Sequence, residues 1–220
     1  MEICRLENIK KTYGSDEKVT PIKQVSLSIK SGDFICIEGP SGVGKSTLLY
    51  IIGGLLNTSS GNVFIDGNNI TTMKDKELTN LRRNKIGFLF QDTHLIQALT
   101  IEENLIFIQS MCHKKKNLNK VKELLTRLGL WERRNFLPSE LSGGQKRRAM
   151  IACTIVKNPL LILADEPTND LDEYWAEEIL HILYEYVNMG KAVILVTHNE
   201  QWADKAQKRF ILNKGILYPK

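Results

Sequence analysis

Phe34-Ile-Cys-Ile-Glu38-Gly39-Pro40-Ser41-Gly42-Val43-Gly44-Lys45-Ser46-Thr47-Leu48 decides the reading of this chain. Four apolar residues and Glu38 make a buried strand. It runs into G-x-x-x-x-G-K-[ST], and an apolar run follows in which Leu48, Leu49, Ile51 and Ile52 can pack as a helix, expected over Ser46–Leu56. Gly42 and Gly44 allow a tight turn that aims several backbone N–H groups at one point, and the helix adds the positive end of its dipole there. That is a phosphate cradle. Lys45 is placed to reach β- and γ-phosphates, and the Ser46 hydroxyl to ligate Mg²⁺. Average residue usage gives a chance match about one time in a hundred for a chain of this length, and the strand–loop–helix context argues further against chance.

A phosphate site of this kind needs an acid at the end of a buried strand, and Leu160-Leu-Ile-Leu-Ala-Asp165-Glu166 supplies two. Asp165 is expected to hold Mg²⁺ through a water, and Glu166 to polarise the attacking water. His198 follows a further apolar strand, Ala192–Val196, at the C-terminal end where ligands collect in open α/β sheets. Position alone leaves a structural and a functional histidine equally open.

Outward from these motifs the chain alternates strands and helices. Val25–Ile29 alternates apolar and polar residues, and Asn62–Asp66 lies between two glycines. Thr100-Ile-Glu-Glu103 is a capping box ahead of an apolar run. Val121, Leu124, Leu125 and Leu128 recur at helical spacing before Gly129, a further helix starts near Ser142 and ends before Pro159, and Ala176–Met189 is closed by Gly190. Strands separated by helices imply a parallel sheet with right-handed crossovers, and the middle of the chain reads as a helical insertion in an α/β domain.

Composition sets the outer limits. The 220 residues are 42% hydrophobic and 25% charged, the mixture of a globular domain, and the net charge is +5. That charge suits a nucleotide or an acidic membrane face without deciding between them. Cys4, Cys36, Cys112 and Cys153 lack ligand spacing and read as reduced, small apolar residues. The longest apolar run, Leu48–Leu56, is far shorter than the roughly 20 residues of a membrane helix, and the N-terminus has no signal-peptide pattern, so a cytosolic chain that is not itself a pore is expected. Arg82-Arg83, Lys114-Lys115-Lys116 and Arg133-Arg134 lack aromatic partners or a reader motif, so no nucleic acid is expected. They read as solvated faces, with anionic lipid headgroups the second possibility.

Leu141-Ser142-Gly143-Gly144-Gln145 lies 96 residues after Lys45 and, with Tyr13, Gln91, Asn169-Asp170-Leu171-Asp172 and His198, resembles the ATP-binding-cassette ATPases over essentially the whole chain. Gly53-Gly54-Leu55, Arg82-Arg83 and Ile86–Gln91 are similar to the branch that holds the macrolide-efflux, lipoprotein-export and cell-division ATPases. The resemblance implies an α/β P-loop NTPase with a mainly parallel core sheet, an N-terminal antiparallel β subdomain and an inserted α-helical subdomain. It implies one ATPase domain over residues 1–220, with 1–91 and 153–220 as the nucleotide-binding lobe and 92–152 as the helical signature subdomain.

It further implies ATP and Mg²⁺ as cofactors. Residues Gly39, Pro40, Ser41, Gly42, Val43, Gly44, Lys45, Ser46 and Thr47 then cradle the phosphates, Tyr13 stacks on adenine, and Ser46, Gln91 and Asp165 form the metal shell. Glu166, His198, Lys45 and Gln91 are the catalytic set, with His198 on the γ-phosphate. Ser142, Gly143, Gly144 and Gln145 grip the nucleotide of a second subunit. The expected assembly is a homodimer, or a dimer with a second such ATPase, on membrane-embedded permease subunits at the cytoplasmic face of a bacterial membrane. The segment after Gln91 faces the permease. An ATPase gating a partner that signals to cell-wall enzymes is the alternative to transport. Lys146-Arg147-Arg148, Cys153-Thr154 and Asn169-Asp170 depart from the usual family pattern.

Overall fold

The computed structural model describes residues 1–14, 17–112 and 116–220; of the expected basic clusters, Lys114 and Lys115 lie outside the described residues. The chain opens with two long antiparallel strands, β1 (Glu2–Tyr13) and β2 (Val19–Lys30), followed by β3 (Phe34–Glu38) and α1 (Lys45–Ile52). Two further strands, β4 (Ser60–Ile65) and β5 (Asn68–Asn69), precede α2 (Asp75–Lys85) and β6 (Ile86–Leu89). Then come α3 (Ile101–Cys112), α4 (Leu118–Arg127), two short 3₁₀ turns and α5 (Gly143–Ile155). The remaining elements are β7 (Leu161–Asp165), α6 (Glu173–Asn188), β8 (Ala192–Val196), α7 (Glu200–Ala203), β9 (Lys208–Asn213) and β10 (Ile216–Pro219).

The ten strands of the described residues join in one sheet, ordered β5-β4-β1-β2-β10-β9-β3-β8-β7-β6. From β9 to β6 every pairing is parallel, and β1, β2, β4 and β5 form an antiparallel wing. The two halves meet through β10, whose Ile216 pairs with Gln24 of β2 while its other edge pairs antiparallel with β9.

Strands β3, β7 and β8 are buried on both faces, and their period of two sorts the core. Phe34, Cys36, Ile162, Ala164, Val193 and Leu195 face one cluster built with α3, α4, α5 and α6. Ile35, Ile37, Leu161, Leu163, Ile194 and Val196 face the other, built with α1 and the antiparallel wing. The described residues of 92–152 hold α3, α4, the two 3₁₀ turns and most of α5, which runs on to Ile155.

The helix expected over Ser46–Leu56 stops at Ile52. Gly53 caps it and Gly54 turns away at φ +65, a left-handed conformation that ends a helix without steric cost. The capping box at Thr100 forms as expected, Thr100 N donating to Glu103 Oε2 at 2.8 Å and Glu103 N to Thr100 Oγ1 at 3.3 Å. Among the described residues no helix is long and apolar enough to cross a membrane.

Candidate nucleotide and metal site

The C-terminal ends of β3, β7 and β8 open onto one cleft of about 410 Å³, lined by the loop after β3, by Gln91, and by the turns after β7 and β8. The loop takes its shape from glycine. Gly39 adopts φ +148 and a Cβ there would lie 2.5 Å from the Leu212 carbonyl; Gly44 adopts φ +111 and a Cβ would press on Pro21. Gly44 is also the N-cap of α1 and offers no side chain to its first amides, which stay available to an anion. Lys45 Nζ donates to the Gly39 and Pro40 carbonyls at 2.7 and 2.9 Å, so the amine closes its own loop.

Asp165 ends β7 and is 4% exposed. Burial pushes its carboxyl up; the Ser46 hydroxyl holds it down, Glu166 adds to the rise, and Lys45 and Arg147 oppose it. Glu166 sits at φ +49, the left-handed region that costs a residue with a side chain about 1–3 kcal/mol. Its N–H donates to the Val196 carbonyl at 2.9 Å, which locks the turn after β7 against β8. His198 Nδ1 lies 2.8 Å from Glu166 Oε1. Asp165 Oδ2 and Glu166 Oε2 are buried and have no hydrogen-bond partner among the described residues.

The orphaned Asp165 oxygen, the Ser46 hydroxyl and the Gln91 carboxamide oxygen line this cleft as an all-oxygen donor set, the kind Mg²⁺ takes when substrate phosphates complete its shell. Among the described residues no group of three or more His, Cys, Asp or Glu side chains could hold a metal by itself. The residues present therefore fit Mg²⁺.

Of the residues expected in the site, Ser41, Gly42, Gly44, Lys45, Ser46, Thr47, Gln91, Asp165, Glu166 and His198 line this cleft together. Gly39 and Pro40 shape it through their carbonyls, and Val43 packs into the core beneath. Tyr13 ends β1, is 43% exposed, has Lys11 Nζ 4.9 Å from its ring centroid, and is not among the residues that line the cleft. Ser142, Gly143, Gly144 and Gln145 form the first turn of α5 and do not line the cleft either. Ser142 and Gln145 cap each other: Gln145 N donates to Ser142 Oγ at 3.3 Å and Ser142 N to Gln145 Oε1 at 3.0 Å. Gly144 lets this turn approach the Asp170 carbonyl, 3.0 Å from where a Cβ would be.

Asn169 lines the cleft without having been singled out as a site residue; its N–H donates to the Glu166 carbonyl at 3.2 Å, folding it back beside the acid. A second, apolar groove of about 340 Å³ lies between α2, α3 and α5 and is lined by Leu55, Phe88, Phe90, His94, Ile108 and Met111 among others.

The family model described as ABC transporter matches residues 22–169. This chain belongs to that family. A solved ABC cassette, the dimeric post-hydrolysis state of MJ0796 bound to ADP and Pi, superposes with a TM-score of 0.93 at 38% identity, covering 98% of this chain and 96% of that one. The macrolide export ATP-binding/permease protein MacB of Shigella flexneri is 39% identical over 218 residues, 98% of this chain but 34% of its own length. The chain thus spans about a third of the MacB relatives that it matches. An uncharacterised ABC transporter ATP-binding protein of Bacillus subtilis, YvrO, is 40% identical over 96% of this chain and 94% of its own. The ABC cassette fold accounts for the α/β reading, with its parallel core, antiparallel wing and helical insertion.

Proposed function

We propose that this ABC ATPase works as a dimer on membrane-embedded permease subunits, at the cytoplasmic face of a bacterial membrane, and that it powers export. The ATPase chemistry in this reading is supported by the pair of orphaned oxygens on Asp165 and Glu166 opposite a loop whose glycines leave its amides free. In this reading Glu166 orients and deprotonates the attacking water, and His198, held on Glu166 Oε1, meets the γ-phosphate. Lys45 exchanges its loop carbonyls for phosphate oxygens. Ser46, Gln91 and Asp165 would hold Mg²⁺, which would supply charge neutralisation for the phosphates. Tyr13 stacks on adenine.

Ser142, Gly143, Gly144 and Gln145 belong, in the same reading, to the site of the second subunit. A helix start outside its own cleft, with serine at the cap and two glycines behind it, suits an anion presented from across an interface. The chain is taken as one cassette, with 1–91 and 153–220 as its nucleotide lobe and 92–152 as its helical part. The apolar groove beside Phe90 and His94 is the seat for a permease segment. The permease-fused MacB relatives and the dimeric cassettes favour this assembly.

Glu166→Gln tests the proposal. General-base effects are typically about 10²–10⁴ in rate, so the variant is expected to bind ATP, hydrolyse it slower by that factor and accumulate as a dimer. Trapped with ATP and recovered from detergent-solubilised membranes of its host, it is expected to bring down a permease in stoichiometric amount. Wild-type turnover by the variant overturns the role of Glu166. Recovery of soluble proteins or nucleic acid alone overturns the membrane partner, and a permease tied to a cell-wall hydrolase favours signalling over export.

A further inference from the structure

Arg147 is among the largest fully buried side chains in the molecule, at 1% exposure, although it carries a charge. It stands on the second turn of α5, and its guanidinium bridges to the end of β6: Nη1 donates to the Phe90 carbonyl and Nη2 to the Gln91 carbonyl. Among the described residues no other side chain hydrogen-bonds either carbonyl. Its Nε has no partner, and it makes no ion pair among the described residues. Asp170, Asp92 and Asp165 are the acids whose charge reaches it.

A buried guanidinium without a contact counter-ion is costly, and a planar fork of fixed geometry is the one cation that grips two successive carbonyls at once. Here the two carbonyls belong to the peptides on which the Gln91 side chain is mounted. We propose that Arg147 is a positioning residue for hydrolysis: its fork fixes the Phe90–Gln91 main chain and so sets the Gln91 carboxamide against Asp165 and Glu166. Because α5 starts at Ser142–Gln145, the same fork ties the seating of that turn to the placement of Gln91. This deepens the ATPase reading of the cleft and rests on it.

The test uses the full chain with ATP and Mg²⁺ and three variants, Arg147→Lys, Arg147→Gln and Gln91→Ala. Lysine keeps the charge but cannot span both carbonyls, and glutamine serves if lysine prevents folding. Each is expected to lower kcat about tenfold while KM for ATP stays within about twofold, since the loop at 39–47 is untouched. Amide hydrogen exchange of peptides covering residues 90–95 is expected to rise while that of α6 and β8 does not. In the Gln91→Ala background the Arg147 substitution is expected to add less than about twofold, because both act through one group. Multiplicative losses, an unchanged kcat, or exchange that rises throughout the molecule each overturn the proposal. A wild-type chain that binds but never hydrolyses ATP would instead sink the ATPase reading, and local exchange at 90–95 would still decide whether the fork holds the Gln91 peptide.

Discussion

Asp165 carries its charge against its surroundings. Burial raises its carboxyl, and one oxygen is left without a partner among the described residues. An acid whose folded value lies above its unfolded one lowers stability once the pH exceeds the unfolded value, near 4, and that penalty is relieved as the pH falls. Asp165→Asn is therefore expected to raise the stability of the nucleotide-free protein at pH 7 by about 0.5–2 kcal/mol, while Mg²⁺-dependent hydrolysis falls at least about tenfold. Thermal melts without nucleotide, paired with steady-state turnover, check both halves; a lower melting temperature would show that the carboxylate is compensated. The strained φ of Glu166 places a second such cost in the same turn. Lys45 was legible in the sequence because a short motif fixes its place, and Asp165 and Glu166 because they end a continuous apolar run. Arg147 was not. The run Lys146-Arg147-Arg148 reads as polar, and only the tertiary fold shows that Arg147 turns inward to β6 and that Arg148 lies 3.8 Å from the Trp175 ring centroid.

Elements were readable where one local device decides them. β3 and β8 have the bounds expected of them, because continuous apolar runs bounded by turn residues leave little freedom. The extent of β1 escaped that reading. Ile3, Cys4, Leu6 and Ile9 are buried without a steady alternation, because register shifts and the left-handed Asn8 break the period of two that marks a strand. The helix α2 buries only Leu78 and Leu81, too few to draw a stripe. The β9–β10 hairpin turns through Lys214-Gly215, both at positive φ, but lysine hides a turn that asparagine would have announced. Packing fixes the glycine that caps α1: a Cβ on Gly53 would lie 1.8 Å from Phe88 Cζ, inside a ring stacked on Phe90 at 5.0 Å. Gly53→Ala is thus expected to cost about 1–3 kcal/mol by overpacking, and Phe88→Leu in the same chain to recover part of it. Urea denaturation of the four proteins in that cycle measures the coupling, and independent, additive effects would rule out the clash.

On the scale of the whole molecule, Glu38 ties distant parts of the chain at the root of the phosphate loop. Arg209 grips it bidentately at 2.7 and 2.8 Å, and Lys220 reaches it at 2.9 Å. The Arg209 hydrogen bonds, helped by Lys220 and opposed by burial, hold the Glu38 carboxyl below its ordinary range. Its folded value is the lower one, so this stabilisation is present above about pH 4.3 and is lost as the pH falls toward the folded value. Glu38→Gln is expected to melt below the wild type at pH 7, with the gap closing as the medium is acidified past that point. A gap independent of pH would assign the loss to packing instead. The parallel core followed from alternating strands and helices, but the strand order did not, since nothing local in Ile216–Pro219 names β2 as its neighbour. That hairpin strand is the seam of the sheet: Ile216 meets Gln24, and the Gly215 carbonyl accepts from Lys23 N at 2.8 Å. A chain cut after Asn213 would therefore bare two raw margins at once, one on β2 and one on β9, and such unpaired edges recruit strands from other chains. Losing these last few residues is a route to fibrous or amorphous deposits before it is a route to lost catalysis.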